Sequence, residues 1–127
     1  MRAFLTIKYY DDSRNRKLIE DISQEFKNIG IDTFVFVRDV ENWGPWNGTA
    51  TELMERAFLE IEKSDILIVE ASETSIGVGM EACYAHLKGI PVYTIAKKGA
   101  YVSDTVKGIS KKFFEYNAPE DLQKFTL

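Results

Sequence analysis

The spacing of apolar positions along the chain switches repeatedly between two periods. Ala3 to Lys8 is a strand-like run, after which Leu18, Ile19, Ile22, Phe26 and Ile29 recur at three- and four-residue steps until Gly30 stops the helix. Thr33 to Val37 reads as a second strand, and "DVENWGPWNGTA" as a loop by its Gly and Pro content. Thr49 with Glu52 has the form of a capping box, opening a helix through Lys63. The run from Asp65 to Ala71 is apolar almost throughout, as a strand buried on both faces at the centre of a parallel sheet must be. A helix over 80–88, the strand "PVYTIA", a short helix from Val102 to Ile109, the strand "KFFEYN" and a last helix from Pro119 complete the chain. The alternation predicts an α/β protein. Right-handed crossovers favour a flavodoxin-like, doubly wound parallel sheet of five strands with helices on both faces, and ligands at the carboxyl ends of the strands. Three loops then matter most: "KYYDDS", "RDVENWGPWNG" and "SETSIGVG".

Composition narrows the class. The 127 residues suit a single domain spanning 1–127, and 45% hydrophobic residues with 13% aromatics exclude a disordered chain. No apolar run approaches the roughly 18 residues of a membrane span, so no membrane partner is expected. A net charge of −4 without a basic stripe argues against nucleic acid. The N-terminus enters a strand at once without a cleavage site, and the single cysteine, Cys83, has no internal partner. Both point to a reducing, cytoplasmic setting, in which the Asn47-Gly48-Thr49 acceptor pattern is coincidental.

The candidate chemistry concentrates in "SETSIGVGMEA", residues 72–82. Gly77 and Gly79 let the backbone approach a ligand closely, although G-x-G alone also describes an ordinary strand-to-helix turn. Glu81 is the first charge of the helix that follows. In a first helical turn a carboxylate is common, because it complements the macrodipole, and it is expected to be ionised at neutral pH. Trp43 and Trp46 offer flat faces for stacking a base, or else pack their loop down. Cys83 and His86 lack a third group to orient a dyad, and core packing suits the cysteine better. No cluster with metal-ligand spacing occurs, and no cofactor is implied. A receiver-like signalling domain is suggested by Asp11 and Asp12 after the first strand, but it also needs an aspartate ending strand three and a lysine ending strand five. Those ends read "VEAS" and "FEYN".

The segment "SDILIVEASETSIGVGMEACYAHLKGIPVY" resembles the nucleoside 2-deoxyribosyltransferase family, and within it the 2'-deoxynucleoside 5'-phosphate N-hydrolases. The resemblance implies that Glu81 attacks the anomeric carbon of the sugar and displaces the base, leaving a glycosyl-enzyme intermediate, which is the logic of a retaining glycosidase. It implies a small-molecule nucleoside or nucleotide as partner, Ser75 as a phosphate ligand, and Ser103 as a second one reaching a neighbouring subunit, hence a homodimer. Judged alone, each serine is a turn or helix-cap residue. Three departures qualify the match. Ala57 stands where the family has an aspartate that assists the leaving base or the sugar. Phe4 falls near its strand-one tyrosine, for which Tyr9 or Tyr10 can substitute in space. The strand-one loop carries Asp11 and Asp12, which repel a phosphate unless Arg14 or Arg16 pairs with them. The alternative function is therefore a nucleotide-sensing module that kept the pocket without turnover.

Overall fold

The computed structural model describes all residues from Met1 to Leu127. Five strands, β1 (Arg2–Thr6), β2 (Asp32–Phe34), β3 (Ile66–Glu70), β4 (Val92–Lys97) and β5 (Lys112–Tyr116), form one sheet in the order β2-β1-β3-β4-β5, and every pairing is parallel. This is the flavodoxin-like order expected from the alternating periods. Between the strands run α1 (Arg16–Asn28), α2 (Phe36–Asp39), α3 (Ala50–Glu62), α4 (Ile76–Leu87) and α5 (Asp104–Ile109).

Strand pleating divides the core in two. Ala3 and Leu5 of β1, with Ile66 and Ile68 of β3, face α1 through Ile19, Ile22 and Phe26. Phe4, Leu67 and Val69 point the other way, onto Ile61 of α3 and Val78, Ala82 and Ala85 of α4. β3 is buried at all five positions because helices cover both faces, which is why its sequence shows no polar alternation. Emptying a core position, as in Phe26→Ala on α1, costs about 3–5 kcal/mol.

Local signals set several boundaries. The Thr49 hydroxyl accepts from the Glu52 amide at 3.1 Å while the Glu52 carboxylate accepts from the Thr49 amide at 3.2 Å, so the expected capping box starts α3. Gly30 ends α1 with φ +86°, a conformation that costs glycine nothing. Elsewhere the boundaries move. β2 holds only three residues, since Phe36 to Asp39 wind into α2, and the C-terminal segment Pro119–Lys124 is a 3₁₀ turn rather than an α-helix.

The largest shift affects the glycine segment. α4 begins at Ile76, four residues before the expected start at 80, so Gly77 and Gly79 lie inside the helix and Glu81 sits in its second turn. Neither glycine has positive φ, and a Cβ on either meets no atom within 4 Å. Backbone geometry therefore does not require glycine at these two places.

Candidate active site

The carboxyl end of β1 and the loops after it open onto a cavity of about 390 Å³. The floor comes from β1 itself, through Phe4 and Thr6. One wall comes from the segment after β2 with Phe36, Glu41, Pro45 and Trp46, and another from α3 with Leu53, Met54 and Ala57. Gly77 and Glu81 of α4 close the third side. The cavity thus lies where β1 and β3 send their connections to opposite faces, the topological switch point of a doubly wound sheet.

Glu81 is the best-placed reactive group. Its residue is partly open to the cavity, while its carboxyl is set among apolar side chains with a single protein partner. The Thr6 hydroxyl donates to Oε1 at 3.1 Å. Burial disfavours the charged form and pushes the carboxyl up to about 7, and the Thr6 hydrogen bond offsets only part of that. This corrects the expectation of a fully ionised Glu81 held charged by a helix N-terminus. The helix starts too early for that, and desolvation outweighs the macrodipole. A carboxyl poised near neutrality in a cleft, able to act as a nucleophile or to carry a proton, is a pattern typical of functional sites.

The rim has a separate polar cluster. Tyr10 donates its phenol proton to Glu73, and Lys8 lies 3.7 Å from the same carboxylate. That hydrogen bond raises the Tyr10 phenol and lowers the Glu73 carboxyl. Arg14 stacks 4.6 Å from the Tyr10 ring and pairs with Asp12 at 3.0 Å, so one of the two loop aspartates is neutralised as a phosphate site would need. Tyr9 is half exposed at the mouth. Behind the β3–α4 turn, buried Glu70 accepts from the Ser72 hydroxyl, whose oxygen accepts from the Lys97 amide at 2.8 Å. This tether holds the turn against β4 and so fixes where α4 begins.

Of the residues singled out from sequence, the cavity brings together Glu81, Tyr9, Tyr10, Gly77 and Trp46, and it also includes Ala57 and Phe4. Its lining does not include Trp43, Ser75, Gly79 or Ser103. Trp43 packs against the α1-side core and carries the Arg16 guanidinium 4.6 Å over its ring, so it holds the loop rather than offering a face. Ser75 is the N-cap of α4 but its hydroxyl makes no capping bond. Ser103 caps α5, accepting from the Thr105 amide at 3.3 Å. Cys83 is exposed, contrary to the core position expected of it, because α4 turns that face outward. Sequence reasoning missed Thr6 and Glu41. The signal for Thr6 was available, since a hydroxyl within the apolar run "FLTI" must find a partner when buried.

Known proteins resemble this chain in part of its sequence and in its fold. A protein of Thermofilum pendens provisionally named 2'-deoxynucleoside 5'-phosphate N-hydrolase 1 is 35% identical over 78 residues, which cover 60% of this chain and 54% of that protein. One of the same name from Methanococcoides burtonii is 40% identical over 60 residues, covering 47% and 49%. The chain resembles the nucleoside 2-deoxyribosyltransferase family. It spans about half the length of the curated relatives it matches. No family model matches it. Among solved structures, a 2-deoxyribosyltransferase from Bacillus psychrosaccharolyticus superposes with a TM-score of 0.77 at 14% identity, covering 100% of this chain and 93% of that one. The Clostridium botulinum CMP N-glycosidase BcmB superposes at 0.68 with 20% identity, covering 98% and 97%. At such identities the agreement is one of fold.

Proposed function

We propose that the protein cleaves, or transfers at, the N-glycosidic bond of a (deoxy)nucleoside or its 5'-monophosphate, with Glu81 as the nucleophile. The observation that carries this is the placement of the Glu81 carboxyl on the wall of an apolar cavity at the switch point, steadied by Thr6. In its charged form Glu81 attacks the anomeric carbon, the base departs, and water or a second base resolves the glycosyl-enzyme. Trp46 and Phe36, with ring centroids 5.9 Å apart, form the aromatic side against which a base would lie. Tyr9 and Tyr10 close the sugar end at the mouth.

The reading extends to a homodimer in a cytoplasmic setting. Ile76, Met80, Cys83 and Leu87 recur at helical steps along α4 and are all exposed, Ile76 at 85% and Leu87 at 77%, which is an apolar stripe fit for a second copy. Ser103 then serves a neighbouring site, and the exposed thiol suits a reducing compartment. Chromatography for free base after incubation with a panel of nucleosides and 5'-monophosphates tests the function. Binding without release across the whole panel favours the sensing module, to which Ala57 on the cavity wall lends support.

A further inference from the structure

Breaking an N-glycosidic bond leaves the electron pair on a base nitrogen, and a neutral base departs slowly unless it receives a proton. The cavity must therefore offer an acid besides its nucleophile. Its titratable groups are few. The Lys8 ammonium lies 3.7 Å from the Glu73 carboxylate, the Tyr10 hydroxyl donates a hydrogen bond to that same carboxylate, and Tyr9 is 53% exposed at the mouth. The Asn15 amide does not titrate and is engaged with the Lys8 carbonyl at 2.9 Å.

Glu41 differs from all of these. It lines the cavity beside Phe36, Pro45 and Trp46, the aromatic side, and its carboxyl forms neither a hydrogen bond nor an ion pair within the chain. Its backbone is nevertheless fixed. The Glu41 amide donates to the Phe36 carbonyl at 3.2 Å, the Gly44 amide donates to the Glu41 carbonyl at 2.9 Å, and the Trp43 amide donates to the Val37 carbonyl at 2.7 Å. Asn42 and Trp43 adopt positive φ, of 49° and 62°, to make this turn, a strain of about 1–3 kcal/mol for each such residue, while the partly buried Trp43 ring packs against the core. The turn is held rigidly while the side chain it presents to the cavity is left free. Partial burial raises the Glu41 carboxyl, favouring the protonated form that an acid needs.

We propose that Glu41 is the general acid of this cavity, delivering its proton to the base as the glycosidic bond breaks; this rests on the N-glycosidase reading above. In the first half-reaction the bond between C1' and the base nitrogen breaks with its electron pair going to the base, the Glu41 proton goes to the base, and a Glu81 oxygen bonds C1'. In the second, a water oxygen bonds C1', the Glu81–C1' pair returns to the Glu81 carboxylate, and the water proton passes to the Glu41 carboxylate. Glu41 thereby takes the role of the carboxyl absent at Ala57, from the segment after β2 rather than from α3.

The test compares leaving groups. A 2'-deoxynucleoside with a neutral base needs the acid, whereas 7-methyl-2'-deoxyguanosine carries a cationic purine that departs without one. Glu41→Gln breaks no bond within the protein, so it folds as the parent does. It should lower kcat for neutral bases about 100-fold or more, and for the 7-methyl compound less than about threefold. Glu41→Asp, an acid on a shorter arm, should recover part of the loss. Equal loss on both substrates, or no loss on either, overturns the proposal while leaving the N-glycosidase reading intact. A parent protein that cleaves neither class overturns both.

Discussion

The Thr6 hydroxyl donates to the Glu81 carboxylate across 3.1 Å, joining the carboxyl end of β1 to the second turn of α4. Because the bond favours the charged form, it works against the burial that pushes Glu81 up to about 7. Thr6→Val keeps the shape and removes the donor. The Glu81 titration should then move to higher pH, and the acid limb of the pH-rate profile should move with it. An unmoved limb would mean that some other group controls the rate.

Glu81→Gln preserves size and hydrogen bonding but removes the charge that the proposed nucleophile needs. Turnover should fall by orders of magnitude while substrate binding, followed by calorimetry, persists. Mass spectrometry of the parent protein quenched during turnover should find a pentosyl adduct on the peptide containing Glu81. Full turnover by the variant would remove Glu81 from the nucleophile's role.

Stability carries a second signature of the same group. The folded carboxyl titrates at about 7 against an ordinary 4.5, so the folded protein binds more protons than the unfolded chain between those values. The Glu81 contribution to stability is fully present below pH 4.5 and is lost as the pH rises through 7, by up to about 3 kcal/mol. Denaturant midpoints at pH 5 and pH 8 should show this fall in the parent protein and a smaller one in Glu81→Gln. Matching slopes in the two would show that the carboxyl is not desolvated.

The frame was legible because its signals are redundant. β3 declares its central place by the unbroken apolar run Ile66 to Val69, and Thr49 with Glu52 states where α3 starts before any packing is known. The site was legible only in outline. Glu81 stood out, but the turn before α4 is tied through Ser72 to Glu70 and to the Lys97 amide, 25 residues further along the chain, which no local pattern announces. Trp43 and Trp46 look alike in the sequence, yet the positive φ of Trp43 turns its ring into the core while Trp46 reaches the cavity. Glu41 is an ordinary loop acid until the fold encloses it.

The α4 stripe predicts a dimer that a single charge disrupts. Leu87 is exposed and makes no contribution to either core cluster, so Leu87→Asp should leave the monomer folded while light scattering shows the dimer dissociating at micromolar concentration. In the dimer, Ser103→Ala should weaken monophosphates more than nucleosides. An equal effect on both would reduce the serine to its cap on α5, worth about 1 kcal/mol.

Gly77 and Gly79 separate the demands of the helix from those of the ligand. Both lie within α4, neither has positive φ, and a Cβ on either meets nothing within 4 Å. Replacing either by Ala should therefore raise stability by up to about 1 kcal/mol, since a helix interior favours Ala over Gly. Their effects on function should diverge. Gly77 lines the cavity, where a methyl group would take space from the proposed sugar substrate, so Gly77→Ala should raise KM while the protein melts at a higher temperature. Gly79 lies outside the lining, and Gly79→Ala should gain the stability with KM unchanged. If both variants bind substrate as the parent does, neither glycine serves the ligand, and close approach of backbone to sugar at this helix would have to be abandoned.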